Sequence, residues 1–387
     1  MPENIFSQWV RFMETVFRTG DLTRNKKINN RESRKNITSL KSYPTRCYLE
    51  ITNQCNLRCP MCGQSWFEGK RSYIPDDILA KIREIYPYLE EINVFGFGES
   101  LVDKRFFNIL ADIPPHIRKK YVSNGLLINP EAAEKMIELQ LHELFISLDS
   151  ATEGTFQFVR GQKGFKRIIQ NIQELTRLKK EKNSEYPIIS LAYTFYRRNI
   201  EEFFQFIDLA HSLGIPRITG DYLIVYRPEL EQESLFHEQE KANRLFPQFR
   251  EKAAQLGIEL IIPKTFDESA KEEASIEMIP CYEPWEFIYF RADGKIGPCC
   301  VNDIQLGDLN TMSFEEIWNG AKYQAFRKMV NTTRKDPNCA QCMGRGMRKL
   351  TERSFHIKFL DNKGNVIKGE NTDHEQALSS GSGSPSL

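Results

Sequence analysis

The sequence predicts an α/β protein: a partial (β/α)6 TIM-like barrel followed by a small C-terminal α+β domain rich in cysteine. Three observations carry that expectation. Between residues 45 and 225, short apolar or β-branched runs alternate with amphipathic helical patterns, the order of a parallel sheet with crossover helices. A closed eight-unit barrel takes about 250 residues, more than this alternating segment offers, so an open barrel is expected. Five of the nine cysteines then fall in the last third of the chain.

Residues 1–44 come first. Ile5, Trp9, Phe12, Met13, Val16 and Phe17 recur at helical spacing, and Arg24, Lys26, Lys27, Arg31, Arg34 and Lys35 follow as a basic stretch. Two readings are open: an interfacial membrane helix with a polybasic neighbour, or a helix docked on its own domain and followed by a solvated linker. The docked helix is preferred. From Thr45 to Pro263 the barrel is expected to place strands at Cys47–Thr52, Ile92–Phe95, Tyr121–Ser123, Leu144–Leu148, Ile188–Phe195 and Ile218–Val225. Helical patterns lie between them at Asp76–Tyr86, Lys104–Ile113, Pro130–Leu139, Phe165–Leu178 and Ile200–Leu213. A long helix over Leu230–Gly257 and one more strand at Ile258–Ile262 complete the unit.

A polar connector, residues 264–280, leads to the cysteine-rich domain at 281–350. Phe287–Phe290 and Lys295–Gly297 around "ADGK" read as a hairpin, and one amphipathic helix is expected from Ser313 to Val330. A second hairpin is expected within 351–369, at Ser354–Leu360 and Asn365–Lys368, and the tail at 370–387 reads as disordered.

Composition narrows the function. A net charge of +1 gives no global field for nucleic acid. No apolar run is long enough to span a membrane, and the first 20 residues carry charges where a signal peptide needs an apolar stretch. Cysteines without a secretion signal point to a reducing, cytoplasmic compartment, where clustered thiols serve metals or catalysis. The histidines show no HxH or HxxxH spacing, and no phosphate-binding G-x-x-x-x-G-K-[ST] loop occurs.

Cys55, Cys59 and Cys62 in "CNLRCPMC" follow the first strand directly. Three thiolates do not complete structural zinc, which prefers four ligands. A 4Fe–4S cubane on three cysteines instead keeps one iron open for a substrate or cofactor. The C-terminal ends of parallel strands are also where such sheets place their chemistry. CxxxCxxC in this setting resembles the radical S-adenosylmethionine (radical SAM) superfamily. The resemblance implies that the open iron is chelated by SAM and that an external electron donor, such as flavodoxin or ferredoxin, drives its cleavage to a 5′-deoxyadenosyl radical.

Further motifs recur in the family's order. "GFGES", with Gly96, Gly98 and Glu99, resembles the Gly-Gly-Glu-Pro turn that meets the SAM amine, with Ser100 in place of proline. "SNG", with Ser123 and Asn124, resembles the ending of strand three. Ser147 and Asp149 in "ISLDS" alternate so as to share one face, in a region that meets SAM in the family. Arg160 resembles the arginine that pairs with the SAM carboxylate. Met61 stands where an aromatic residue usually packs near adenine, and its thioether can still pack on a ring.

The second cysteine group is C-x17-C-C-x38-C-x2-C. Its residues alone fit either zinc or a fully ligated 4Fe–4S cluster. "CYEPWEFIYFRADGKIGPCC…LGDL…EIWN…PNCAQC" resembles the SPASM/twitch extension of radical SAM enzymes, with a cysteine arrangement similar to that of 2-deoxy-scyllo-inosamine dehydrogenase. The resemblance implies one auxiliary 4Fe–4S cluster on Cys281, Cys299, Cys339 and Cys342, with Cys300 as the alternative to Cys299. The remaining thiol, taken as Cys300, is then either a hydrogen-atom donor to a substrate radical or a packing group. Cys47, inside the first strand, reads as an inert buried thiol.

Two enzymatic outcomes follow: oxidation or epimerisation of a hydroxylated small molecule such as a sugar or cyclitol, or maturation of a ribosomally made peptide. The segment before the barrel is short for the winged-helix module that many peptide maturases carry, which favours the small molecule. A cluster-bearing binding protein without turnover is the third, least favoured reading.

Overall fold

The computed structural model describes residues 21–66, 70–273, 280–300, 304–334, 339, 351 and 353–358. A single sheet of ten strands runs in the order β10-β9-β8-β1-β2-β3-β4-β5-β6-β7. These are β1 (Arg46–Leu49), β2 (Glu91–Val94), β3 (Arg118–Ser123), β4 (Glu143–Ser147), β5 (Ile188–Phe195), β6 (Arg217–Tyr222), β7 (Glu259–Ile261), β8 (Phe287–Phe290), β9 (Lys295–Gly297) and β10 (Gly307–Asp308). Neighbours from β1 to β7 pair in parallel, and the sheet does not close. The partial barrel is the observed architecture. The expected hairpin forms at β8 and β9, but β8 also pairs in parallel with β1. The C-terminal domain therefore continues the barrel sheet.

The crossover helices bury apolar stripes. In α7 (Phe165–Glu181), Ile168, Ile172, Leu175 and Leu178 lie on one side and are buried. Caps fix helix starts: Asn129 accepts from Ala132 N at 2.8 Å ahead of α5 (Pro130–Glu138), and Thr152 accepts from Thr155 N ahead of α6 (Glu153–Arg160).

Residues 21–34 are helical and docked, correcting the reading of this basic stretch as a linker. Its basic side chains face water, while Asn25, Asn29, Glu32 and Ser33 are buried. Asn29 Nδ2 donates to Trp285 O at 2.6 Å, and Glu32 accepts from Lys41 N and from the Ser42 hydroxyl at 2.9 and 2.6 Å. Polar side chains hold this helix down, so an apolar count misses it.

Other differences have local causes. The long helix expected from Leu230 is two 3-10 segments, Pro228–Glu233 and Leu235–Glu238, before an α-helix over Gln239–Gln255. The extended backbone of Ser234 breaks it, and its hydroxyl caps Phe236 N at 3.2 Å. The helix expected over 313–330 splits into α12 (Phe314–Trp318) and α13 (Ala321–Val330). There Asn319 bonds both backbone groups of Leu40, and a Cβ at Gly320 would lie 2.5 Å from Glu316 O. Where Ser354 was expected in a strand, Arg353–His356 is a turn of helix, and Ile357 bridges in parallel to Val225. Residues 1–20, Asn365–Lys368 and the tail lie outside the described residues.

Register sorts the sheet into two faces. One carries Leu49, Ile92, Val94, Tyr121, Leu144, Ile146, Leu191, Phe195 and Ile218, all buried under the helices. The other carries Tyr48, Val122, Phe145, Ser147, Thr194 and Thr219, half-buried, with Asn93, Ser190, Phe287 and Tyr289 buried among them. This second, open face has mixed chemistry.

Candidate active site

The segment from Glu50 to Cys62 leaves the end of β1 and crosses the C-terminal ends of the parallel strands. It is laid down by backbone packing. A Cβ on Gly98 would lie 2.2 Å from Thr52 O, and one on Gly161 would lie 2.6 Å from Arg58 O, so only glycine fits at either point. Gly96 packs against the Glu50 side chain in the same way. Glu50 is buried and accepts from Phe97 N at 2.7 Å and from Ala292 N at 3.0 Å, tying the GFGES turn to the C-terminal hairpin.

Cys59 is buried, and Cys55 and Cys62 are half-buried. Asn124 Nδ2 reaches Cys55 Sγ at 3.8 Å and Asn56 Oδ1 at 2.8 Å, and Arg160 Nη1 reaches Cys59 Sγ at 3.8 Å. Burial pushes the Cys62 thiol up to about 11 and raises that of Cys55, so ligating iron must release protons. Three soft donors in one loop, two of them next to N–H groups that stabilise thiolate charge, fit a cubane cluster. Among the described residues no group of three or more His, Cys, Asp or Glu side chains is drawn together for a single metal ion.

Glu99 is 2 % exposed, its carboxylate turned into the protein. Its Oε1 accepts from Leu101 N and Tyr121 OH, and its Oε2 from Ser123 Oγ at 3.1 Å and Asn124 N at 2.7 Å. All four acceptor positions are taken. Burial raises its carboxyl against those four hydrogen bonds. Ser123 is thereby committed to Glu99 on the helix-covered face, whereas Ser147 stands on the open one.

Asp149 has φ +60°, so the strand ends before it and the expected alternation with Ser147 is broken. Its carboxylate is buried. Oδ1 accepts from Thr194 N at 2.6 Å, and Oδ2 relies on an ion pair with Arg160. Burial works against the Arg160 charge, but Asp149 and Cys59 more than offset it and hold the guanidinium above its ordinary value. Arg160 Nε is buried without a hydrogen-bond partner among the described residues.

Sequence reading missed Tyr196. It follows β5, is 1 % exposed, and its hydroxyl has no partner among the described residues. It feels the charges of Asp149, Arg160 and Cys59, and it packs in a small cluster with Val159 and Leu223 against which Met61 also rests. Its position at a strand end was the available signal. Glu50 offered another, a carboxylate inside the apolar run "CYLEIT".

In the second group, Cys281 and Cys339 are half-buried against the core, and Cys342 lies outside the described residues. Asn331 Oδ1 accepts from Cys281 N at 2.7 Å, and its Nδ2 donates back to Cys281 O at 3.1 Å. Cys299 lies in the electrostatic field of Tyr323 on α13. Cys300 is exposed and lies in that of Tyr48 and Tyr289, partners across β1 and β8 on the open face. Adjacent thiols are thus divided between two environments.

Comparison with known proteins finds a radical SAM domain and an auxiliary iron–sulfur domain in this chain. The radical SAM superfamily profile matches residues 49–210, and the SPASM iron–sulfur cluster-binding domain matches 281–343. The chain carries both domains and, with them, the 4Fe–4S clusters and SAM as cofactors. It is 26 % identical over 331 residues to an AdoMet-dependent heme synthase of Methanosarcina barkeri, covering 79 % of this chain and 90 % of that one. It is 28 % identical over 291 residues to the sporulation killing factor maturation protein SkfB of Bacillus subtilis, covering 73 % and 67 %. Streptococcus suis SuiB bound to its precursor peptide SuiA shares the fold, with TM-score 0.61, 14 % identity and coverage of 95 % and 83 %. No described helix is long and apolar enough to cross a membrane.

Proposed function

We propose that this radical SAM enzyme is a maturase acting on a peptide. The observation that carries the reading is the open face, where Tyr48, Val122, Phe145, Ser147, Thr194 and Thr219 stay half-buried and Cys300 is exposed at the β1–β8 side. A broad surface of mixed polarity suits an extended substrate better than a sugar, which asks for an enclosing polar pocket. The alignment with SkfB across most of both chains supports the same choice over the sugar or cyclitol oxidation expected from sequence.

Cys55, Cys59 and Cys62 would hold the first cluster, and Cys281, Cys299, Cys339 and Cys342 a single auxiliary cluster. When bound, the first cluster and SAM together supply a 5′-deoxyadenosyl radical that takes a hydrogen atom from the substrate. Arg160, held by Asp149, would meet the SAM carboxylate, with Asn124 and Ser147 beside it. Glu99 acts as a positioning residue: with its oxygens occupied, the backbone carbonyls of the Gly96–Glu99 turn are left to meet the SAM amine. Met61 and Tyr196 would flank the adenosyl side. Cys300 would return a hydrogen atom in an epimerisation, the electron and proton on its sulfur being restored by an external donor such as ferredoxin or flavodoxin. The reducing cytoplasm suits these thiols.

The test is anaerobic reconstitution with SAM and dithionite, reading 5′-deoxyadenosine by chromatography, then co-expression with short peptides encoded beside the gene. Peptide mass loss, crosslinks or D-residues are expected. No deoxyadenosine from cluster-loaded protein would sink the enzyme reading. Deoxyadenosine that rises only with a tetrapyrrole, the substrate class suggested by the heme synthase relative, or with a sugar would sink the peptide reading.

A further inference from the structure

Tyr48 on β1 is the centre of a wall of rings on the open face. Its ring meets Phe95 at 5.3 Å, Phe287 at 4.8 Å and Tyr289 at 6.4 Å between centroids, each edge to face. Phe95 directly follows β2, and Phe287 and Tyr289 stand on β8, where Tyr289 is the register partner of Tyr48. Phe287 and Tyr289 are buried, but Tyr48 and Phe95 are only half-buried, as is Phe145 on β4. Ring surface is therefore left for a bound group to cover.

One amide completes the wall. Asn93 on β2 pairs in register with Tyr48 and is 8 % exposed. Its side chain hydrogen-bonds to the Tyr48 phenol, yet its Oδ1 is buried with no partner among the described residues. A buried acceptor left unpaired is costly, so a donor from a bound molecule suits that position. Toward the strand starts, charges are spent on one another: Lys120 pairs with Glu91 and Glu143, and Arg217 with Glu143 and Glu259. The rows above offer the rings, Asn93, Val122 and Thr219, all neutral. A charged side chain would lose its water there with no counter-charge among these residues.

Ring surface to cover and one acceptor to satisfy together define a ligand. We propose that the Tyr48–Phe95 wall and Asn93 bind the side chain of the peptide residue to be modified, and select an aromatic ring that carries a hydrogen-bond donor, a phenol or an indole. The ring packs on Tyr48 and Phe95, and its O–H or N–H donates to Asn93 Oδ1. The proposal rests on the peptide reading given above and names the residue type that reading leaves open.

The test uses the full chain with its clusters reconstituted and SAM bound, and follows small probes by ligand-observed nuclear magnetic resonance. N-acetyl-tyrosinamide and N-acetyl-tryptophanamide should bind at least about tenfold tighter than N-acetyl-phenylalaninamide or the O-methyl ether of the tyrosine probe, the loss expected when a buried acceptor stays unpaired. Asn93→Leu should erase that preference while N-acetyl-phenylalaninamide still binds, and Phe95→Ala should weaken every probe. Equal affinities in the parent, a preference that survives in Asn93→Leu, or no binding of the tyrosine and tryptophan probes would overturn the proposal. Should Asn93→Leu fail to fold, the parent's discrimination between the tyrosine probe and its O-methyl ether decides alone. The peptide reading fails separately: peptides that go unmodified while the parent still prefers the phenol and indole probes would refute that reading and leave the ring site standing.

Discussion

Asp149→Asn tests the central claim that the Asp149–Arg160 pair is one unit. Asn tolerates the left-handed backbone at φ +60° and keeps an oxygen for Thr194 N–H, which Asp149 receives at 2.6 Å, so the substitution removes charge and little else. What it leaves is a guanidinium whose side chain is 11 % exposed, with the Cys59 sulfur at 3.8 Å as its remaining partner among the described residues. Breaking a buried pair from one side costs about 3–5 kcal/mol, and with a sulfur neighbour remaining the lower end, about 3 kcal/mol, is expected. That is a large part of the roughly 5–15 kcal/mol that holds a domain together. Neither group is exposed enough for solvent screening to reduce the figure. The assay is urea unfolding of cluster-free protein under argon, in a double-mutant cycle with Arg160→Met. Removing both charges should recover about 2 kcal/mol relative to the sum of the single changes. In cluster-loaded protein, SAM binding should weaken non-additively in the same cycle. A loss below about 1 kcal/mol for Asp149→Asn, or additivity of the two changes, would refute the reasoning.

Other outcomes follow from the same geometry. Glu99→Gln strands one backbone N–H in the core, since the hydroxyl beside the new amide can turn to accept from it, and is expected to cost about 2 kcal/mol, with weaker SAM binding; calorimetry reads the first and equilibrium dialysis the second. Tyr196→Phe loses no hydrogen bond to the described residues, so stability should move by under about 0.5 kcal/mol, while SAM or substrate affinity falls about fivefold if the hydroxyl meets a ligand. Unchanged affinity for both denies it that role. Cys300→Ala should keep the full iron complement, whereas Cys299→Ala should lose one cubane's worth. Burial first, and the nearby Cys300 next, push the Tyr48 phenol up from 10.0 to about 12. A raised value means that its stabilisation is whole below pH 10 and is lost as pH rises toward 12. Alkaline unfolding followed by tyrosinate absorbance should accordingly be shallower in Tyr48→Phe.

Much of the fold was legible because strands and crossover helices write their periods into the chain. Ile188–Phe195 and Phe287–Phe290 were bounded to the residue because each is an apolar run, and Lys295–Gly297 because the Asp-Gly turn before it sets the hairpin. The break at Ser234 was not legible because an extended backbone and a local cap on Phe236 N leave the apolar period intact. The one at Gly320 was not because it depends on Asn319 bonding to the distant Leu40 backbone and on a carbonyl that leaves no room for a Cβ. The docked helix at 21–34 was missed because Asn29 and Glu32 are buried on hydrogen bonds to other segments, among them Trp285 O, Lys41 N and the Ser42 hydroxyl.

For the site, the sequence by itself determined the chemistry: CxxxCxxC after the first strand names three thiolates, and the glycines of GFGES announce a close backbone approach. The tertiary structure decided which side chains are spent on one another. Glu99 is consumed by Tyr121, Ser123 and Asn124, Asp149 by Arg160 and Thr194, and the neighbours Cys299 and Cys300 are assigned to different surroundings. Spacing along the chain fixes which groups are available. Desolvation and hydrogen-bond satisfaction depend on residues brought together from strands far apart in sequence, and only the folded sheet sets those.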